Sequence, residues 1–374
     1  MKPRVLLGFI SYGPYHLARL KASRDLLTEV NVEGWELSPV QNEYSWKHKR
    51  VEHLHAVTDM PLESVSRFKW PILVWRHLNH LKPDACLLAG YSHPGMLAAL
   101  IWCRFHGRPA VVMSDSKEDN TPRRRWKEWC KSQILSLYDA ALVAGSPHRD
   151  YFTKLGYNSA RIYMGYDVVD NSLYTRLAPK SQRLTHPYFL VVSRFIPEKN
   201  LPFILSAFAQ YVKSYGLENA WDLVICGDGY LRSELETQIS FLGLADKISL
   251  TGFLQADEML PFYSLADVFI LASLQETWGL VVNEAMASAL PVLVSNRCGC
   301  FTDLIVSGYN GFGFDPLNVS ELCSLMSQCH EMSPEERRAM GERGRVKIVA
   351  EFGLNHFAES LRDCLKSAFP ARVR

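Results

Sequence analysis

The sequence predicts an α/β protein made of two doubly wound halves, each built on a parallel sheet. Short β-branched runs alternate with amphipathic stretches, and apolar runs of four to six residues are followed closely by Gly, Ser or Asp. Such runs are typical of parallel strands that are buried on both faces. Their alternation with helical stretches indicates parallel sheets covered by helices, and two such sets follow one another along the chain.

Nine strands are predicted, in two sets separated by a polar linker at 170–186. The predicted strands are 5–10, 85–88, 110–113, 140–144, 189–193, 223–226, 248–251, 268–271 and 291–294. Predicted helices include 201–214, 230–243 and 354–367. The first domain is expected to span 1–172 together with a final helix at about 352–374, and the second to span 185–351. In doubly wound folds, ligands bind at the carboxyl ends of the strands.

Composition excludes several classes of protein. Hydrophobic residues make up 48% and charged residues 21% of the chain, which is ordinary globular composition. The net charge of +2 argues against a protein devoted to nucleic acid. No run of 18 apolar residues occurs, and residues 1–10 are interpreted as a first strand and not as a signal peptide. We therefore expect a cytoplasmic protein. The nine cysteines are irregularly spaced, and no second pair completes a metal site with Cys298 and Cys300.

Two cations follow the first strand of the second half. Arg194 comes directly after the strand predicted at 189–193, and Lys199 lies five residues further on. An arginine fork and a lysine point charge at a strand end are suited to a diphosphate. Two solvated loop cations are the alternative.

Glycine and aromatic residues follow the next two predicted strands. Gly227 and Gly229 form a turn in which the absence of a side chain allows the backbone to approach a ligand. Phe253 and Leu254 follow the strand at 248–251 and are candidates to line a nucleobase pocket. Each feature alone is weak, because strand-to-helix turns often contain glycine for geometry only.

Two carboxylates, Glu276 and Glu284, flank a helix start that is predicted near Gly279. Free backbone N–H groups at a helix start bind phosphate, and the helix dipole adds to the attraction. Each carboxylate can accept hydrogen bonds from sugar hydroxyls. A capping carboxylate plus a surface glutamate is the alternative for this spacing alone.

Taken together, these features resemble the donor-binding domain of retaining glycosyltransferases of family 4, which have the GT-B fold. The residues that carry the resemblance are Ser193-Arg194 to Lys199, Gly227-Asp228-Gly229, Gly252-Phe253, Glu276 to Glu284, and Gly308-Tyr309-Asn310-Gly311. The resemblance covers about 185–320 well and the first half only by its general layout. It implies two Rossmann-like domains facing a central cleft.

The resemblance also implies roles for these residues. Arg194 and Lys199 would hold the donor diphosphate, and Glu276 would bind the transferred sugar; these three are the implied catalytic residues. Glu284 would bind the ribose hydroxyls. The implied donor-binding residues are Gly13, Gly227, Gly229, Phe253, Leu254, Trp278, Gly279, Leu280 and Glu284. The chain has no Asp-x-Asp motif, so no metal or other cofactor is expected, and UDP is preferred because it is the most frequent nucleotide in that family.

The first half departs from the family pattern. The loop after the first strand has one glycine, Gly13, where the family often has two, and His16 follows it. A position that often holds histidine reads Ser114-Asp115. The acceptor-side candidates are therefore His16, Tyr91, His93, Ser114 and Asp115.

A basic segment that includes Arg123, Arg124, Arg125 and Lys127 also contains Trp126 and Trp129. The favoured interpretation is a solvated helix whose two tryptophans pack on the first domain. The alternative is peripheral contact with the anionic inner face of a membrane. A second, shorter basic run lies at 47–50.

The acceptor stays open between a glycan end, a lipid-linked sugar and a small molecule. Two other functions also stay open on this architecture. One is a nucleotide-sugar epimerase or a phosphorylase, and the other is a non-catalytic nucleotide-binding relative.

Overall fold

A computed structural model describes residues 2–41, 51–120, 124–175 and 186–369 of the chain. The chain divides into two compact units. Unit 1 comprises Met1–Val169 together with Leu354–Arg374, and unit 2 comprises Asp170–Gly353. Each unit has a parallel sheet with helices around it.

Unit 1 contains a seven-stranded sheet with the order β3-β2-β1-β4-β5-β6-β7, in which every pairing is parallel. Its strands are β1 (Arg4–Phe9), β2 (Asn31–Glu36), β3 (Leu54–Ala56), β4 (Ala85–Ala89), β5 (Ala110–Ser114), β6 (Ala140–Val143) and β7 (Ile162–Met164). Its helices are α1 (Pro14–Leu26), α2 (Trp70–Leu81), α3 (Pro94–Phe105), α4 (Arg125–Leu135), α5 (Ser146–Lys154) and, from the end of the chain, α14 (Leu354–Ala368).

Unit 2 contains a six-stranded parallel sheet with the order β10-β9-β8-β11-β12-β13. Its strands are β8 (Tyr188–Val192), β9 (Asp222–Cys226), β10 (Ile248–Gly252), β11 (Val268–Leu271), β12 (Val292–Ser295) and β13 (Gly311–Phe314). Its helices are α6 (Asn171–Tyr174), α7 (Leu201–Tyr215), α8 (Arg232–Phe241), α9 (Ala256–Leu265), α10 (Leu280–Ala287), α11 (Phe301–Leu304), α12 (Val319–Glu331) and α13 (Pro334–Glu351).

Helix α7 illustrates how the sequence forms these elements. Asn200 precedes it in a left-handed conformation, Pro202 lies in its first turn, and Gly216 ends it with a φ of +78°. Buried apolar residues recur at helical spacing and pack against the unit 2 sheet; they are Leu201, Ile204, Leu205, Phe208, Tyr211 and Val212. Burial of this face stabilises the helix, since isolated helices of this length are marginal in water.

The fold prediction from sequence is confirmed, with additions. All nine predicted strands are present with ends shifted by at most one residue, but β2, β3, β7 and β13 were not predicted. Three of these four lie at sheet edges. The stretch predicted as a linker begins with α6, which lies in unit 2, and its later residues 176–185 lie outside the described residues. Within the described ranges, no helix is both long and apolar enough to cross a bilayer.

Candidate functional site

The order of strands in unit 2 creates a crevice between β8 and β11. The chain runs outward from β8 to β9 and β10 on one side and to β11, β12 and β13 on the other. Neighbouring strands whose connections leave in opposite directions mark the usual ligand site of such sheets, at their carboxyl ends. The loops at that place are 193–199, after β8, and 272–279, after β11. They carry the implied catalytic residues.

Lys199 and Glu276 form an ion pair in this crevice, and each side chain is 14% exposed. Ser273 Oγ also donates a hydrogen bond of 3.1 Å to Glu276 Oε2. Backbone contacts fix the loop further, because Leu274 N–H donates to Glu198 O at 2.8 Å. An ammonium group has three N–H donors, so Lys199 can hold Glu276 and a phosphate oxygen together.

The loop that carries Glu276 is hydrogen-bonded to the loop after β12. Gly299 N–H donates to Glu276 O at 3.1 Å, and Cys300 N–H donates to Trp278 O at 3.0 Å. Cys298 and Cys300 are both buried, and burial raises the pKa of the Cys300 thiol well above its usual value. These thiols therefore pack as apolar groups, and no cluster suited to a metal ion occurs among the described residues.

Gly279 lies immediately before α10 with a φ of +108°, a conformation that favours glycine. A side chain there would approach Leu271 to 3.1 Å. Leu280 is the first residue of α10, and the first N–H groups of a helix have no acceptor within the helix itself. In this first turn, Val282 N–H donates to Gly279 O at 2.9 Å. The start of α10 stays the predicted place for a phosphate, through the backbone of Gly279 and Leu280.

Glu284 lies about one turn into α10 and is only 4% exposed. Its Oε1 accepts a hydrogen bond of 2.7 Å from the Tyr174 hydroxyl, and its Oε2 accepts one of 2.6 Å from the Tyr263 hydroxyl. The two tyrosine rings meet edge to face, with centroids 5.6 Å apart. The carboxylate therefore has two hydroxyl donors from the protein itself.

The glycines of the turn after β9 are required by contact between loops. A side chain at Gly227 would lie 1.8 Å from Ser193 O, and one at Gly229 would lie 2.6 Å from Phe195 O. Gly227 N–H also donates to Gly252 O at 2.9 Å, which joins the loops after β9 and β10. The close backbone approach predicted for these glycines is thus made to the neighbouring loop that carries Arg194, whose side chain is exposed.

Two further donor-site candidates have contrasting environments. Phe253 is 53% exposed and Leu254 is partly buried at the end of β10, so both are accessible to a ligand. Trp278 is only 1% exposed, and its indole N–H donates to Asn283 Oδ1 at 2.9 Å. We correct its assignment accordingly: the Trp278 side chain packs in the interior, and any contact with a donor would come from the backbone.

In unit 1, Gly13 and His16 contact each other. Gly13 N–H donates to His16 Nδ1 at 3.0 Å, and the imidazole stacks on Phe9 with centroids 4.0 Å apart. The histidine therefore caps the first turn of α1, and the Gly13 N–H that could have met a phosphate already has a partner. Gly13 lies in the loop after β1 and His16 lies in the first turn of α1, beside the corresponding crevice of this sheet, between β1 and β4.

The other acceptor-side candidates are mostly structural. Tyr91 is 7% exposed and packs edge to face on Phe152 in the core, so its assignment to the acceptor is corrected. His93 Nδ1 accepts from Gly95 N–H at 3.0 Å and caps α3, and burial lowers its pKa. Ser114 is 4% exposed and its Oγ accepts from Ser116 N–H at 3.1 Å, which also corrects its assignment.

Asp115, which follows Ser114, is partly buried and accessible at the carboxyl end of β5. Of the five acceptor-side candidates, Asp115 is the one for which the contacts described above give no structural role. It therefore stays a candidate for contact with the acceptor.

The basic segment forms α4, and its tryptophans do not pack on unit 1. Trp126 is 61% exposed and Trp129 is 64% exposed. The interpretation that these tryptophans are packed is therefore wrong. Arg124, Arg125 and Lys127 are exposed as well, whereas Arg123 and the run at 47–50 lie outside the described residues.

Comparison with known proteins identifies the fold. Residues 176–347 match the sequence model of a family described as glycosyl transferases group 1. A glycosyltransferase of known structure from Rickettsia africae matches 99% of this chain and 99% of its own, with a TM-score of 0.77 and 13% identity. The chain has the GT-B fold. An Anabaena protein, HepE, whose structure was solved in complex with UDP and glucose, matches with a TM-score of 0.74 and 16% identity over 98% of this chain and 100% of its own.

Sequence relatives support the GT-B glycosyltransferase resemblance. An α-D-kanosaminyltransferase of Streptomyces kanamyceticus is 28% identical over 175 residues, which are 47% of this chain and 44% of the relative. An α-monoglucosyldiacylglycerol synthase of Streptococcus pneumoniae is 38% identical over 104 residues, which are 28% of this chain and 23% of the relative. The matched region thus spans less than half the length of each of these two relatives.

Some residues of the candidate site were not predicted from the sequence. Tyr174 lies in the stretch that was predicted as a linker, and Tyr263 lies in a helix whose pattern gives no sign of a polar partner. In unit 1, Glu36 ends the unpredicted strand β2. It is 3% exposed, and its Oε2 accepts from Tyr12 N–H at 2.8 Å in the loop after β1. Hydrogen bonds to residues distant in sequence define the roles of these side chains, and a local sequence pattern does not show such bonds.

Proposed function

We propose that the protein is a retaining glycosyltransferase that moves a hexosyl group from a nucleoside-diphosphate sugar to an acceptor hydroxyl without a metal ion. The observation that carries the proposal is the Lys199–Glu276 ion pair in the crevice between β8 and β11. It brings a cation suited to phosphate and a carboxylate suited to sugar hydroxyls to one point. The GT-B fold and the family match over 176–347 support it.

The proposed reaction places charge where these groups can stabilise it. The bond between the anomeric carbon and the diphosphate oxygen breaks, and the acceptor oxygen forms a new bond to the same face of that carbon. The acceptor proton passes to the departing diphosphate, so no separate base is required. Lys199, Arg194 and the first turn of α10 stabilise the negative charge that develops on the diphosphate. Glu276 orients the transferred sugar through its hydroxyls.

The nucleoside is assigned to the remaining groups of unit 2. Glu284 binds the ribose hydroxyls, and Phe253 and Leu254 line the base, with UDP as the preferred nucleotide. The choice of UDP is supported by HepE, a protein of similar structure that was solved in complexes with UDP.

Incubation with UDP-glucose, UDP-N-acetylglucosamine and GDP-mannose in the presence of EDTA tests the proposed reaction. The expected result is release of the nucleoside diphosphate that increases with an added acceptor, with an α-linked product by NMR for these α-linked donors. A sugar product without any acceptor would indicate an epimerase, and dependence on inorganic phosphate would indicate a phosphorylase. Nucleotide binding without any turnover would support the non-catalytic alternative.

We also propose that α4 contacts an anionic membrane surface. Glu128 accepts from the Tyr151 hydroxyl at 2.6 Å and from Lys131 Nζ at 2.8 Å, which fixes the inner face of α4 on α5 and neutralises its acidic residue. The exposed face is left with two tryptophans and three cations. Tryptophan prefers the interface between water and lipid, and the cations complement anionic headgroups. This surface favours a lipid or lipid-linked sugar as the acceptor, at the cytoplasmic face of a membrane.

A further inference from the structure

We infer that Tyr174 and Tyr263 are positioning residues that hold the Glu284 carboxylate in the orientation in which it accepts the two ribose hydroxyls of the donor. This inference rests on the proposed function and deepens it, because it assigns a role to two residues that no sequence motif includes. The hydroxyl groups donate to separate oxygens of the same carboxylate, at 2.7 Å and 2.6 Å.

The Glu284 carboxylate is buried in unit 2. A carboxylate with 4% exposure loses most of its hydration, and such a charge is retained only when hydrogen bonds replace the lost water. The two phenols supply such bonds, and bonds to an ionised acceptor are stronger than those between neutral groups. Because one donor binds each oxygen, rotation of the carboxylate about its last bond would break both contacts.

Both tyrosines are held in place by their surroundings. Tyr263 is 1% exposed within α9, and Tyr174 is 7% exposed at the end of α6. At the other end of α6, Asn171 Nδ2 donates to Ile348 O at 3.2 Å and to Phe352 O at 3.5 Å. Helix α6 is therefore fixed to the last turn of α13, and the Tyr174 hydroxyl reaches Glu284 from an anchored element.

Glu284 and the start of α10 are close enough for one ligand to reach both. Glu284 lies four residues after Leu280, which corresponds to roughly 6 Å along a helix axis. The start of the same helix is the site proposed above for the diphosphate, so a nucleoside diphosphate that binds there can place its ribose beside Glu284. A carboxylate oxygen has two lone pairs, so accepting a phenol does not prevent it from accepting a ribose hydroxyl as well. The phenols therefore orient the acceptor atoms and do not replace the ligand.

The test compares ribose and deoxyribose nucleotides on phenylalanine variants. Dissociation constants are measured calorimetrically for UDP, GDP and ADP and for their 2′-deoxy forms, with wild type, Tyr174→Phe, Tyr263→Phe and Glu284→Gln. Tyr211→Phe is the matched control. Its hydroxyl is also buried in unit 2 and contacts His330 Nδ1 at 2.6 Å and Trp221 N–H at 2.9 Å, outside this network.

We expect the wild type to bind the ribose form of one nucleotide more tightly than its 2′-deoxy form. The ratio of these two dissociation constants should fall about 3- to 10-fold in either tyrosine variant, as for the loss of one hydrogen bond. Tyr211→Phe should keep the wild-type preference even if it lowers the melting temperature. Wild-type preference in both Tyr174→Phe and Tyr263→Phe, with nucleotide still bound, would overturn this inference alone. Absence of nucleotide binding to the wild type would overturn the proposed function, and the inference with it.

Discussion

Lys199 and Glu276 are 77 residues apart in the chain and form an ion pair with both side chains 14% exposed. They meet because β8 and β11 are neighbours in a parallel sheet, so the loops after them open at the same edge. Partial exposure lets the pair be reached by a ligand, whereas a fully buried pair would serve only the fold.

Replacing Lys199 should separate the roles of the two partners. Lys199→Met removes a charged donor to phosphate, so we expect the nucleotide and the nucleotide sugar both to bind about 10- to 100-fold more weakly. Glu276→Gln should weaken only the nucleotide sugar, because the bare nucleotide lacks the hydroxyls that Glu276 is assigned to bind. Calorimetric titration measures both effects.

The matched control for this pair is Lys213→Met, which removes an exposed lysine from α7 in the same unit. It should leave both affinities unchanged. Equal weakening of the bare nucleotide and the sugar conjugate by Glu276→Gln would contradict the assignment of Glu276 to the sugar.

Gly227→Ala should destabilise the protein strongly. The added carbon would lie 1.8 Å from Ser193 O at a φ of +137°, so one of the two loops must move. We expect a loss of about 3 kcal/mol or more in the free energy of unfolding, measured by urea denaturation. Gly216→Ala is the control, because it also has a positive φ of +78° but meets nothing within 4 Å. Its ψ of 155° is also unfavourable for alanine, so this control should cost about 1 to 3 kcal/mol from backbone strain alone. A loss in Gly227→Ala no larger than that in Gly216→Ala would contradict the proposed clash.

The stability of unit 1 should depend on pH through Glu36. Burial raises its pKa from 4.5 to about 7, with a smaller contribution from the Asp59 charge. Between these two values the folded state binds the proton more tightly than the unfolded state does, so stability falls as the pH rises from about 4.5 to 7. The glutamine in Glu36→Gln cannot ionise. The free energy of unfolding of this variant, relative to that of the wild type, should therefore increase by up to roughly 3 kcal/mol between pH 4.5 and pH 8.

Glu33→Gln provides a control of opposite sign for this pH dependence. Although burial opposes it, Arg4 and His55 hold the pKa of Glu33 below its usual value. Ionised Glu33 therefore contributes stability that is lost as the pH falls, and Glu33→Gln should be most destabilised relative to wild type at neutral pH. Chemical denaturation at several pH values measures both variants, and parallel profiles for the two would refute the argument.

Membrane contact through α4 should depend on charge and on tryptophan. We expect the protein to bind vesicles of phosphatidylcholine with 30% phosphatidylglycerol, because each cation near an anionic surface contributes about 1 kcal/mol of binding free energy. Vesicles of pure phosphatidylcholine should bind it weakly. Neutralising Arg124, Arg125 and Lys127 to glutamine should weaken binding about 100-fold. Co-sedimentation with vesicles measures this, and a blue shift of tryptophan fluorescence should accompany binding.

Two further variants make the vesicle experiment specific. Trp126→Ala with Trp129→Ala should also weaken binding and abolish the shift in fluorescence. The charge-matched control neutralises the exposed Lys213, Arg338 and Lys366, which lie on other helices. If that control weakens binding as much as the α4 variant does, α4 is not the contact surface.

The sequence predicted the two sheets and placed Lys199 and Glu276 after the ends of two strands, because both follow from the buried apolar runs. It did not predict that these two side chains form an ion pair. It did not predict β2, whose buried Glu33 and Glu36 break the apolar pattern. Glu33 bonds to Arg4 at 2.9 Å and 2.6 Å, and Glu36 accepts from Tyr12 N–H, so both carboxylates depend on partners distant in sequence. Such partners are invisible to a local pattern.

The same limit explains the errors at the candidate site. Tyr91 and Trp278 follow strand ends just as the accessible candidates do, and only packing decides that their side chains are directed into the core. The exposed tryptophans of α4 show the converse, since a helix with apolar residues was expected to bury them. Position at a strand end can thus be predicted from sequence, but the direction of a side chain cannot.

The most direct test of the account is a calorimetric titration of UDP, GDP and ADP into wild type and Lys199→Met in the presence of EDTA. The account predicts that the wild type binds one nucleotide without a metal ion and that the variant binds it about 10- to 100-fold more weakly. Failure of all three nucleotides to bind the wild type, or unchanged affinity in the variant, would contradict the claim that the Lys199–Glu276 crevice is the donor site.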